Sequence, residues 1–116
     1  ADREMCLVVQ IETPAGVAAL DDILAVEGVD AVFIGPSDLS ANYGHIGNPS
    51  ALEVVEAVQS SLDKIGASDK ASGIMALDPA AAKSYLDRGV DFVAVSIDAR
   101  TLALSLRAIA ADMRNR

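Results

Sequence analysis

Tryptophan is absent, and only two phenylalanines and two tyrosines occur among 116 residues. Packing therefore falls to Ala, Val, Leu and Ile, as expected where helices lie on a parallel sheet. Bases are scarce, nine against 17 acids, for a formal charge of −8. With no basic stripe, nucleic acid is not an expected partner, and the dispersed acidity serves solubility. One cysteine, Cys6, rules out an internal disulfide. Set in an apolar run, it reads as a buried, inert thiol, in keeping with a reducing cytoplasm. No apolar stretch approaches the roughly 20 residues of a membrane helix, so no membrane partner is expected. The charged start Ala1-Asp2-Arg3-Glu4 has no signal-peptide core.

Half of the chain is nevertheless apolar, enough for the core of one domain. Short β-type runs alternate with longer helical ones. Leu7–Ile11 reads as a buried strand. Thr13-Pro14 then supplies an N-cap and a first-turn proline, and Val17, Leu20 and Leu24 mark a helix face that Gly28 ends. Val29–Ile34 is the second strand. Gly35-Pro36 opens a loop that runs through Asn48-Pro49. A helix follows, with Leu52, Val55, Val58, Leu62 and Ile65 on one face. After the polar loop Gly66–Ser72 comes a third strand, Gly73–Leu77. Asp78-Pro79 starts a helix that turns Ala82, Tyr85 and Leu86 inward and ends at Gly89. Val90–Ile97 is the fourth strand, and Asp98 caps a last helix with Leu102, Leu106, Ile109 and Met113 on one face.

The order is βαβαβαβα, which predicts parallel strands and right-handed crossovers. An echo supports a repeated unit. Gly28-Val29-Asp30-Ala31-Val32-Phe33-Ile34 resembles Gly89-Val90-Asp91-Phe92-Val93-Ala94-Val95, 61 residues on. Such repeats are natural in a (β/α)₈ barrel; an open doubly wound sheet is the competing architecture.

Two acids follow two of the apolar runs: Glu12 after Cys6–Ile11, and Asp38 after Ala31–Ile34 and Gly35-Pro36-Ser37. In parallel α/β sheets the C-terminal strand ends form the ligand-binding rim. Two hard oxygen donors there suit a divalent cation, Mg²⁺ or Mn²⁺. Each acid also has a plainer reading: Glu12 as a favourable charge at a helix start, Asp38 as a turn cap. Gln10 is two residues from Glu12 and shares its face, although a buried structural glutamine is the alternative. Asp78 and Asp98 read as helix caps, and Asp21-Asp22 as a solvated face.

The run Val9-Gln10-Ile11-Glu12-Thr13, followed by Val26-Glu27-Gly28 and Phe33-Ile34-Gly35-Pro36-Ser37-Asp38-Leu39-Ser40, resembles the metal-dependent pyruvate aldolases of the HpcH/HpaI type. Gly47-Asn48-Pro49 and Gly73-Ile74-Met75 agree in order and spacing, so the resemblance covers essentially the whole chain. It implies a carbon–carbon lyase that cleaves a 4-hydroxy-2-oxo acid to pyruvate and an aldehyde through a metal-stabilised enolate. It implies Glu12 and Asp38 as ligands of Mg²⁺ or Mn²⁺, with Co²⁺ a further candidate, and Gln10 as a catalytic residue touching the 2-oxo acid. Gly35, Pro36 and Ser37 are then the loop that receives the pyruvate carboxylate, and Met75 lines the aldehyde side, with a plain core methionine as its other reading. No Schiff-base lysine is needed, and none of Lys64, Lys70 and Lys83 falls on a predicted strand.

The resemblance is to the second half of that family alone, so residues 1–116 are expected to form a single half-barrel of four βα units. A whole barrel needs roughly 250 residues and eight strands. The family's arginine and histidine, which steady the enolate and move protons, have no counterpart here; His45 reads as a loop histidine. An isolated half leaves two edges and an inner face uncovered, which favours a homo-oligomer. Three arrangements stay open: a fragment of an ordinary aldolase, two copies closing a pseudo-barrel, or an open sheet within a larger assembly. A metal-binding or assembly module without turnover is the alternative function.

Overall fold

The computed structural model describes residues 4–114; the charged start Ala1-Asp2-Arg3 lies outside them. Four strands form one sheet: β1 (Val8–Ile11), β2 (Ala31–Ile34), β3 (Ala71–Met75) and β4 (Phe92–Ala94). They pair in chain order, β1-β2-β3-β4, and every pair is parallel. This order decides between the two architectures. A doubly wound sheet reverses its strand order at a switch point, whereas uninterrupted sequential order is the pattern of half a (β/α)₈ barrel.

The helices are α1 (Pro14–Ala18), α2 (Leu20–Leu24), α3 (Pro36–Asn42), α4 (Leu52–Gly66), α5 (Pro79–Asp87) and α6 (Asp98–Arg114). Side-chain caps set the starts of two of them, α1 and α5. Thr13 Oγ1 accepts the Gly16 N–H at 3.0 Å ahead of Pro14, and Asp78 Oδ2 accepts the Ala81 N–H at 2.9 Å ahead of Pro79. Gly89 ends α5 with φ at 90°, a conformation that side chains resist.

Strand alternation divides the sheet into two faces. Ile11, Val32, Ile34 and Ile74 are buried together with Val54, Val58, Leu62 and Ile65 of α4. Each such side chain contributes roughly 1.5–3 kcal/mol by leaving water. The opposite face carries the row Gln10, Phe33, Gly73, Phe92, one residue from each strand in register. Here Phe33 and Phe92 reach across β3 and stack with ring centroids 5.6 Å apart. A Cβ on Gly73 would lie 2.3 Å from Phe92 Cζ and 2.7 Å from Phe33 Cδ2, so the rings occupy the space that the glycine leaves. Barrel interiors are filled in layers drawn from alternate strands, and this pair from β2 and β4 is half of one layer.

Several expectations are corrected. Cys6 is exposed rather than buried, and Leu7 and Val8 are exposed too: Cys6 and Leu7 precede β1, and Val8 shares the open face of the strand with Gln10. Strand three begins two residues early, at Ala71, and strand four is cut to Phe92–Ala94. The segment after Gly35-Pro36 is the helix α3, since a proline at the first position starts a helix as readily as it ends a strand. Leu52 and Leu86 face solvent. In α6 no residue is buried, and Leu102, Leu106, Ile109 and Met113 are all exposed. The radius of gyration is 16.7 Å, above the roughly 13 Å of a compact domain of this length. No helix among the described residues is long and apolar enough to cross a membrane.

Candidate metal centre

The site begins where the β1–β2 ladder stops. The last bond of that ladder runs from the Gly35 N–H to the Ile11 carbonyl at 3.0 Å. Glu12 is half-buried immediately beyond β1. Its Oε2 accepts a hydrogen bond from Gln10 Nε2 at 2.9 Å, as the two-residue spacing on one strand face predicts. Gln10 is exposed on the open face, so the buried-glutamine alternative is not observed. Gly35 makes this pair fit against the next strand: a Cβ there would stand 2.8 Å from Gln10 Nε2.

Asp38 lies in the first turn of α3, which starts at Pro36, with Gly35 alone between it and the end of β2. A carboxylate is favoured at such a position by the helix dipole. Among the described residues no base pairs with either acid; the ion pairs are His45–Glu53, Lys64–Asp21, Lys70–Asp69 and Arg88–Asp63. His45 is thus engaged by Glu53 at 3.3 Å and, among the described residues, pairs with neither candidate ligand. The backbones of Glu12 and Asp38 are joined by one side chain that sequence reasoning missed. Asn42 Nδ2 donates to the Glu12 carbonyl and to the Asp38 carbonyl, each at 3.0 Å.

In the loop expected to take a carboxylate, the Gly35 N–H is already spent on Ile11 and Pro36 has none. Ser37 is exposed at the start of α3, where no side chain caps the helix. It therefore offers the first free N–H of the three. Met75, at the end of β3, is part-buried and borders a cavity of about 300 Å³ with Pro36, Ser37, Asp78 and Tyr85. No cluster of three or more His, Cys, Asp or Glu side chains exists among the described residues. Two carboxylates beyond neighbouring strand ends match the one or two that Mg²⁺-like ions take, the rest of such a shell being water and substrate oxygens.

Residues 1–104 match the model of the HpcH/HpaI aldolase/citrate lyase family. The chain belongs to that family. Over 114 residues it is 50% identical to a hydroxypyruvate/pyruvate aldolase of Roseovarius nubinhibens, covering 98% of this chain and 44% of that protein. It is 48% identical over 111 residues to the 4-hydroxy-2-oxo-heptane-1,7-dioate aldolase of Escherichia coli, covering 96% of this chain and 42% of that protein. The solved HpcH/HpaI aldolase of Desulfitobacterium hafniense superposes with a TM-score of 0.90 at 29% identity, covering 99% of this chain and 45% of that one. This HpcH/HpaI chain thus spans less than half the length of the relatives it matches.

Proposed function

We propose that the chain forms the cation-holding half of a pyruvate aldolase, which cleaves a 4-hydroxy-2-oxo acid to pyruvate and an aldehyde. The observation that carries this reading is the position of Glu12 and Asp38 beyond the ends of adjacent parallel strands, with no base paired to either among the described residues. The aldolase names of relatives about half identical in sequence support it.

Glu12 and Asp38 would hold Mg²⁺ or Mn²⁺, with Co²⁺ a further candidate. When bound, such an ion supplies Lewis-acid polarisation of the 2-oxo acid. Gln10 fixes the Glu12 carboxylate through its amide and stands on the same face to meet the substrate. Gly35 leaves room for that pair, and the Ser37 N–H receives the pyruvate carboxylate. Met75 borders the aldehyde side. Lysine chemistry is not called upon: Lys64 lies on α4, Lys83 on α5, and Lys70 ahead of β3. A reducing cytoplasm suits the exposed thiol of Cys6.

One observation favours a second reading. The sheet's inner face is open, with Val8 and Phe92 exposed, and the chain spans under half of its relatives. Binding of metal and 2-oxo acid without turnover, or assembly through that face, follows if the half acts alone. Exposed apolar faces favour a homo-oligomer; a stable monomer in low-micromolar sedimentation overturns that part.

The test is pyruvate release from a 4-hydroxy-2-oxo acid with and without Mn²⁺, beside calorimetric Mn²⁺ titration. Metal-dependent release that Glu12→Gln abolishes supports the aldolase. Metal binding lost in Glu12→Gln, with no release from the unaltered chain, supports the second reading. Release indifferent to chelation, or Mn²⁺ affinity unchanged in Glu12→Gln, overturns the site.

A further inference from the structure

We infer that Asn42 is a positioning residue, which sets the separation of Glu12 and Asp38 by tying their backbones together. The inference rests on the metal site proposed above. Two ligands on different elements bind one ion well only if their spacing is held to about half an ångström. The sheet does not supply that hold, because its last ladder bond joins Gly35 to Ile11 and both acids lie beyond it. Glu12 enters the turn before α1, and Asp38 rides on the seven-residue helix α3. Past the ladder, Asn42 is the one side chain among the described residues hydrogen-bonded to both.

The chemistry of the amide suits this role. Its NH₂ group has two protons, and here two carbonyls accept them, each at 3.0 Å. Because both partners are acceptors, the amide orientation is fixed; turned over, its oxygen would face two carbonyl oxygens. The bond to Asp38 spans one helical turn and anchors the side chain to α3. The bond to Glu12 spans 30 residues of sequence and carries the connection to β1. Neither touches a carboxylate, so Asn42 takes no side-chain oxygen from either acid.

Mn²⁺ titration of the full chain tests this, together with the electron paramagnetic resonance spectrum of the bound ion, in Asn42→Leu, Asn42→Gln, Glu12→Gln and Asp30→Asn. The expected result is a five- to tenfold weaker Mn²⁺ in Asn42→Leu, with a changed spectrum and partial recovery in Asn42→Gln. Asp30→Asn, at the far end of the sheet, lowers the melting temperature and leaves Mn²⁺ affinity alone. If Glu12→Gln abolishes binding while Asn42→Leu stays within twofold, the positioning role fails and the metal site stands. If neither alters affinity, the site itself fails and the inference goes with it. Weakening in Asp30→Asn equal to that in Asn42→Leu means general loosening and also overturns it. Should Asn42→Leu not fold, Asn42→Gln decides: a threefold or larger shift at unchanged circular dichroism supports the role, and no shift overturns it.

Discussion

The two rims of the sheet each carry a pair of acids, and the pairs live in opposite circumstances. At the N-terminal rim, Asp30 Oδ2 accepts the Leu7 N–H at 2.7 Å. Asp91 Oδ2 accepts both the N–H and the hydroxyl of Ser72, at 2.7 and 2.9 Å, while the Asp91 N–H donates back to Ser72 Oγ. Each acid precedes its own strand and clamps the start of the neighbouring one. At the C-terminal rim, Glu12 accepts one side-chain hydrogen bond, and no ion pair among the described residues engages Asp38. Asp30 and Asp91 each tie down a backbone N–H of the neighbouring strand; among the described residues the Glu12 and Asp38 carboxylates tie down none. This also explains the 61-residue echo: Gly-Val-Asp recurs because the same clamp is built twice.

The sharpest division between the rims is expected from Glu12→Gln. Calorimetry should find Mn²⁺ binding weakened by about 100-fold or more, beyond the usual effect of losing an outer-shell partner, with an unchanged melting temperature. Gly35→Ala should follow, at about tenfold, because the new Cβ displaces Gln10 from Glu12. Full binding in that variant would detach the Gln10–Glu12 pair from the site. Asp91→Asn should reverse the pattern. Denaturant unfolding should report a loss of at most about 1 kcal/mol, below the usual range for bonds to a charged group because Asp91 is exposed, with Mn²⁺ affinity intact.

Acid titration gives the smallest effect. The Ser72 backbone bond, then its hydroxyl, holds the Asp91 carboxyl below the ordinary carboxylate range. A depressed folded value means that this stability is fully present above the unfolded carboxylate pKa of about 3.9. It is lost as pH falls below that value and through the folded one. Asp91→Asn should flatten the unfolding free energy across that acidic window alone; an identical slope in both proteins would remove the clamp.

Alternation of short β-branched runs with helical spacing made the four βα units legible, and the placement of Glu12 and Asp38 after two of those runs made the candidate site legible. The strand ends moved because period-2 runs do not say where a ladder begins. The periodicity of α6 reports a coherent apolar stripe and not what covers it, and the stripe is exposed. α3 was missed because Gly-Pro is ambiguous between a stop and a start. With it went Asn42, whose spacing from Asp38 has meaning only once both stand on one helix.

Phe33 and Phe92, meeting above Gly73, make the uncovered side of the sheet something other than a blank apolar plane. Two of the four places at that level are already taken, by the bulkiest apolar side chains the chain possesses. Whatever closes over this side has two vacancies to fill there and a fixed aromatic contour to follow, so complementation is governed by shape as well as by greasiness.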